Sequence, residues 1–182
     1  HYKWEANFED VIDNPYLDDF YMHMERWSFN LQVYFLNSRF RQLMNFNGSN
    51  KSVVQDRTVY EDAYIFAPNL HAMGLMNHRD FNNYQSLFEL MESMIKAPDL
   101  LIYLRSSIPN LVNKIHKRGR QYENSISIEY LNRLNERYEA WISTYDNGKL
   151  LIVDVDNLDF VDNKEDLGLI IEKVDAELNG LF

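Results

Sequence analysis

Leu100-Leu101-Ile102-Tyr103-Leu104 is the run on which the fold turns. It has no charge and no apolar–polar alternation, so it reads as a parallel strand covered on both faces. Leu150 to Val155, apolar apart from Asp154, reads as a second such strand. Between them, Ile108 to Lys117 has helical spacing and is broken by Gly119, and Ile126 to about Tyr145 forms a further helix; Glu165 to Leu178 is the last. Towards the N-terminus, Ala6 to Phe8 and Ser52 to Gln55 are short strands. Tyr16 to about Phe46 is one or two long helices, with Pro15 near the start and Asn47-Gly48 as a stop; Tyr60 to Met73 and Phe81 to Ile95 are two more. Apolar strands alternating with helices indicate an α/β fold with a parallel sheet. No repeat, low-complexity tract or linker divides the chain, so residues 1–182 are expected to form a single domain.

Composition removes several function classes. A net charge of -10 argues against a nucleic-acid backbone as main partner, because that contact needs a basic face. The absence of cysteine excludes disulfide and thiolate chemistry. With 182 residues and 46% hydrophobic content the chain can bury one substantial core. No secretory signal and no membrane-length apolar span occurs in it, which makes the cytoplasm the default location. The sequons at Asn47 and Asn50 then read as a polar turn.

Candidate chemistry begins at Val53-Val54-Gln55-Asp56-Arg57-Thr58-Val59-Tyr60-Glu61-Asp62, a short strand that delivers an acid and a base to a loop. Asp56 suits a hydrated metal and Arg57 a phosphate or a catalytic carboxylate; a helix cap with a surface ion pair is the competing reading. Lys114, Lys117, Arg118 and Arg120 gather around Gly119 as the one dense basic patch of an acidic chain. Such a segment can close over a polyphosphate, or it can be a helix C-terminus whose cations suit the dipole. Gln32 and Arg39, seven apart on one helix, share a face among aromatics, where they suit the edge of a flat polar heterocycle or form a buried polar pair. The histidines have no zinc-site spacing.

Taken together these residues resemble the deoxynucleoside kinase family, in particular the bacterial deoxyadenosine and deoxyguanosine kinases. The likeness runs through Glu9, Glu25-Arg26-Trp27-Ser28-Phe29 with Gln32 and Arg39, then Asp56 to Ala67, Pro98 to Arg105, Arg118-Gly119-Arg120-Gln121-Tyr122-Glu123 and Asp154-Val155-Asp156. It implies a helix-rich, three-layer, P-loop kinase-like α/β fold and an enzyme that phosphorylates the 5′-hydroxyl of a deoxynucleoside with ATP and Mg²⁺. On the same resemblance, Glu9 is the base that accepts the hydroxyl proton, Arg57 holds Glu9 and the phosphate, and Asp56 serves Mg²⁺. Tyr21 and Glu123 clamp the sugar 3′-hydroxyl. Gln32, Arg39 and Asp62 read the base between Leu31 and Phe66. Lys114, Arg118 and Arg120 belong to a lid around residues 114–123, and Asp159 and Phe160 lie beside the donor's base. Relatives of this family pair through long helices, and the apolar surplus of the helices at 16–46 and 81–95 leads to the expectation of a homodimer.

Thymidine-preferring members carry an apolar residue seven places after the glutamine, where this chain has Arg39. Deoxyadenosine is therefore the expected substrate and deoxyguanosine the next, with deoxycytidine possible and thymidine poor. One departure stands out. The family's Gly-rich Walker A loop does not occur in these residues, and Tyr2-Lys3-Trp4 reads as the end of a helix, so the first strand, the loop and most of the first helix are expected upstream of His1. Without that loop, phosphoryl transfer should be severely impaired. A non-catalytic nucleoside-binding relative is the alternative; the retained Glu9, Arg57, Asp62, Arg118 and Arg120 favour the enzyme.

Overall fold

A computed structural model of the chain describes residues 2–8, 14–46, 51–120, 123 and 126–180. They fall into two compact units, residues 1–96 and 97–182, each described by itself.

The first unit holds β1 (Glu5–Asn7), α1 (Leu17–Met22), α2 (Met24–Phe46), β2 (Val53–Gln55), α3 (Val59–Glu61), a single π-helical turn (Asp62–Phe66), α4 (Ala67–Ala72) and α5 (His78–Glu92). The strands run parallel, Glu5 beside Val53 and Asn7 beside Gln55. Tyr2–Trp4 carry no helical residue: Lys3 has a left-handed φ of 55°, and Tyr2 stacks on Trp4 at 4.2 Å between ring centroids. The expected helix end is therefore not found there. The long segment at 16–46 resolves into two helices because His23, at φ -143° and ψ 70°, breaks the helical path.

α2 organises this unit. Its buried residues are Ser28, Leu31, Gln32, Phe35, Leu36 and Arg39, a stripe at the three- and four-residue spacing of one helical face. Against it lie Val59, Ala63, Ile65, Leu70, Tyr84 and Phe88, all at most 2% exposed. Asn77 starts α5 earlier than the apolar pattern alone suggested, since its side chain accepts the Asp80 backbone N–H at 2.9 Å and caps the helix at His78.

The second unit holds β3 (Leu100–Arg105), α6 (Ile108–Arg118), α7 (Ile128–Ser143), β4 (Lys149–Asp154) and α8 (Lys164–Asn179). β3 and β4 are parallel, Leu100 beside Lys149 through Arg105 beside Asp154. Tyr103 seats β3 on α7: its ring lies parallel to Tyr138 at 5.8 Å, and its hydroxyl donates to Glu139 at 3.0 Å. The expectation of strands covered on both faces holds only in part. Leu101 and Val153 are buried, but Ile102, Leu104 and Ile152 keep 37–40% of their surface among the described residues.

α6 receives its N-terminal cap from a distant residue. Ser107, at the cap position, makes no side-chain cap bond, and the Asp156 carboxylate takes over, accepting from the Ser107 N–H at 2.8 Å, the Ser106 hydroxyl at 2.9 Å and Asn110 Nδ2 at 3.1 Å. These donors, the Ser107 N–H first, hold its carboxyl at about 2, below the ordinary 3.8. The resulting stabilisation is whole above pH 3.8 and is lost as pH falls towards 2. Asp156→Asn should therefore lower the thermal midpoint at neutral pH, with the gap to wild type closing between pH 3.8 and 2. A gap that stays constant across that window contradicts the cap.

Candidate active site

Parallel strands direct their C-terminal ends to one edge, where α/β proteins place their ligands. β1 and β2 end side by side, and the Asp56 N–H donates to the Asn7 carbonyl at 2.9 Å, so the Asp56-Arg57 pair leaves the strands at that edge. Glu9, which follows two residues after β1, lies outside the described residues. Asp56 is exposed. Among the described residues no group of three or more His, Asp or Glu gathers that could enclose a metal ion. A lone exposed carboxylate fits Mg²⁺, which is held by one or two carboxylates together with substrate phosphates.

Arg57 has a left-handed backbone, φ 59°. In a residue with a side chain that conformation costs on the order of 1–3 kcal/mol and is characteristic of functional sites. Its guanidinium carbon sits 4.6 Å from the Phe66 ring centre and 6.0 Å from that of Phe35. The next residue, Thr58, begins α3 with a capping box: its Oγ1 accepts the Tyr60 N–H at 3.1 Å, and Glu61 accepts both the Thr58 N–H, at 2.8 Å, and the Thr58 hydroxyl. Burial pushes the Glu61 carboxyl up, opposed by the Thr58 bonds and the Arg57 charge. The Asp-Arg motif is thus followed by a helix cap, but the cap is Thr58, and both members of the pair precede it.

The deepest polar contact is an ion pair between Arg39 Nη1 on α2 and Asp62 Oδ2 in the π turn, with side chains 2% and 1% exposed. The Arg39 guanidinium carbon also lies 4.9 Å from the Phe35 ring centre. Gln32, 3% exposed, occupies the same face, and its Oε1 has no hydrogen-bond partner among the described residues. Arg39 thus meets both Asp62 and the Phe35 ring, and Gln32 is buried on the same helix face. Phe35 stands three residues after Gln32 and four before Arg39, so helical spacing carried the signal. Leu31 is buried in the same stripe, Phe66 is half-buried under Arg57, and Tyr21 is half-buried, edge-on to Phe20 at 5.2 Å. His71 stacks on Phe81 at 4.5 Å and bonds the Met76 carbonyl at 2.9 Å, a packing role in keeping with the histidine spacing.

Within the second unit, Gly119 closes α6 in a left-handed conformation, φ 69°, and the basic patch surrounds it. Arg118 grips Glu123 with two bonds of 3.1 and 2.7 Å, and Arg120 stands 3.6 Å from the same carboxylate. Lys117 pairs with Asp162 at 2.8 Å, and the Lys114 ammonium lies 5.6 Å from the Phe160 ring centre. Asp159 is occupied locally, its N–H donating to Asp166 at 2.7 Å. Arg118 and Arg120 of the lid and Glu123, expected to serve different groups, form one cluster here.

A buried ion pair resists loss of one partner more than loss of both. Asp62→Ala should cost about 3–5 kcal/mol in denaturant unfolding, because the Arg39 charge stays buried, and an Arg39→Met/Asp62→Leu double variant should recover most of it. A loss below about 1 kcal/mol in the single variant contradicts the desolvated pair.

Comparison with known proteins gives the family and the fold. The family model for deoxynucleoside kinase matches residues 2–179. The deoxyadenosine/deoxycytidine kinase of Bacillus subtilis (strain 168) is 37% identical over 174 residues, covering 94% of this chain and 80% of the relative. The deoxyguanosine kinase of the same organism is 34% identical over 170 residues, covering 91% and 81%. Among solved structures, deoxyadenosine kinase from M. mycoides with the products dCMP and a flexible dCDP bound superposes with a TM-score of 0.83 at 29% identity, over 95% of this chain and 86% of that one. The helix-rich fold with parallel strands is accordingly that of the P-loop kinase-like α/β proteins. The chain belongs to the deoxynucleoside kinase family.

Proposed function

We propose that the protein transfers the γ-phosphoryl group of ATP to the 5′-hydroxyl of a deoxynucleoside, deoxyadenosine first and deoxyguanosine second, with deoxycytidine as the alternative substrate. One observation carries the reading: Arg39 beside the Phe35 ring forms a buried ion pair with Asp62, and Gln32 is buried on the same face of α2 with its Oε1 unpartnered among the described residues. A buried ion pair is often no more stabilising than an apolar pair of equal volume, so its place in a small core is best accounted for by a ligand that it reads. The Gln32 carbonyl oxygen is an acceptor in need of an N–H, which the exocyclic amino group of adenine or cytosine supplies. Arg39, a donor only, suits ring nitrogens and the keto oxygen of guanine. The methyl of thymine calls for an apolar pocket that a charged pair spoils.

Further roles follow from the family. Glu9 takes the proton of the 5′-hydroxyl as that oxygen attacks phosphorus, and Arg57 steadies both the carboxylate and the phosphate. Asp56 would hold Mg²⁺, which when bound neutralises charge on the phosphate oxygens. Tyr21 and Glu123 serve the sugar 3′-hydroxyl, and Leu31 and Phe66 flank the ring. In the second unit Lys114, Arg118 and Arg120 take the donor phosphates, with Asp159 and Phe160 near the donor's base. Because Arg118 and Arg120 hold the Glu123 carboxylate beforehand, a phosphate there exchanges one anion for another.

Steady-state kinetics of the full-length protein with the four deoxynucleosides test this reading. The expected order of kcat/KM runs from deoxyadenosine down to thymidine. Glu9→Gln should bind deoxynucleoside yet lose about 10²–10⁴-fold in kcat. A thymidine optimum would remove the base-reading assignment, and near wild-type turnover in Glu9→Gln would remove the general base.

A further inference from the structure

The helical stretch from Val59 to Ala72 contains one wide turn, and the sequence explains it. Ala67 donates its N–H to the Asp62 carbonyl, five residues back, instead of to Ala63. The residue five after Ala63 is Pro68, which has no N–H. Neither neighbour along the helix therefore serves the Ala63 carbonyl, yet Ala63 is 0% exposed, and a buried carbonyl requires a donor. The donor comes from another helix: Gln85 Nε2 of α5 reaches the Ala63 oxygen at 3.2 Å.

This turn carries the two residues whose aim matters most. Asp62 opens it and pairs with Arg39; Phe66 closes it and lies under Arg57. Next to Gln85, Tyr84 is 0% exposed, and its ionisation is suppressed by burial first and by the Asp62 charge second, with Arg39 acting in the opposite sense. α5 thus lies directly against the ion pair. Phe88, one turn further on, meets Tyr60 and Tyr64 edge-on at 6.3 and 5.5 Å.

We propose that Gln85 is a positioning residue for base selection: by satisfying the carbonyl that Pro68 leaves over, it fixes the wide turn and hence the direction in which Asp62 and Phe66 face the nucleobase. The proposal rests on the reading that Asp62 reads the base. Without Gln85 the turn can regain its missing bond only by rewinding, which rotates Asp62 relative to Arg39. The side chain touches no reacting atom, so its loss should appear in selectivity and KM, with little change in kcat.

The test is a double-mutant cycle in the full-length protein, read as the ratio of kcat/KM for deoxyadenosine to that for thymidine. Gln85→Leu should lower that ratio about tenfold, the worth of one buried hydrogen bond, through KM and with kcat for deoxyadenosine nearly unchanged. Pro68→Ala restores an N–H at position 68, so Gln85→Leu placed in that background should recover most of the ratio. An unchanged ratio in Gln85→Leu, or an equal loss in both backgrounds, overturns the proposal. Should Gln85→Leu fail to fold, folding and near wild-type selectivity of the Pro68→Ala/Gln85→Leu protein support it, and failure of both overturns it. Asp62→Asn separates the two levels of the argument. A ratio unmoved by Asp62→Asn defeats the base-reading assignment itself, whereas a ratio moved by Asp62→Asn but not by Gln85→Leu defeats the role of Gln85 alone.

Discussion

The buried ion pair between Arg39 and Asp62 is the constraint around which the first unit is arranged. Removing two charges from water is unfavourable, and the cost is met only when geometry and neighbouring hydrogen bonds are well fixed. The surrounding elements do that fixing. α2 offers Arg39 on the same stripe that buries Leu31, Phe35 and Leu36, so the guanidinium cannot leave without unpacking the helix. The opposite partner is held by a chain of local devices: the Thr58–Glu61 capping box that starts α3, the wide turn enforced at Pro68, and the α5 side chains that support it. A charge pair buried this deeply gives the core a polar centre, and the proposed recognition of a nucleobase rests on it.

The second unit solves its electrostatics differently, with exposed or half-exposed pairs that contribute little stability each. Arg105 and Glu139 join β3 to α7 by bonds of 2.9 and 2.7 Å, and Asp156 caps α6 from the far end of β4. Around Gly119 the half-exposed Arg118 and Arg120 hold the buried Glu123 carboxylate, and Lys117 pairs with Asp162 at the surface.

Much of this was legible in the sequence because the periodicities are strong. The apolar runs at 100–104 and 150–153 lie in the parallel strands, and the helices fall close to where apolar spacing places them. What escaped is what spacing does not encode. The need of the Ala63 carbonyl for a distant donor follows from a missing N–H at Pro68, and a proline near a helix start reads as an ordinary first-turn residue. Nothing in the local pattern marks Gln85, because its bond to the Ala63 carbonyl joins elements far apart in sequence. Gln32 and Arg39 stand out by helical spacing among aromatics, whereas Asp62 joins them through the family resemblance; from composition alone, a buried aspartate would be indistinguishable from a surface polar residue.

The central claim is that this buried polar centre recognises the base, and the most direct measurement is a crystal structure of the protein with deoxyadenosine bound. The account requires the adenine edge within hydrogen-bonding distance of Gln32 Oε1 and of the Arg39–Asp62 pair, with the ring beside Phe66. A base seated elsewhere, with Gln32 still unpaired and the ion pair untouched, would contradict it.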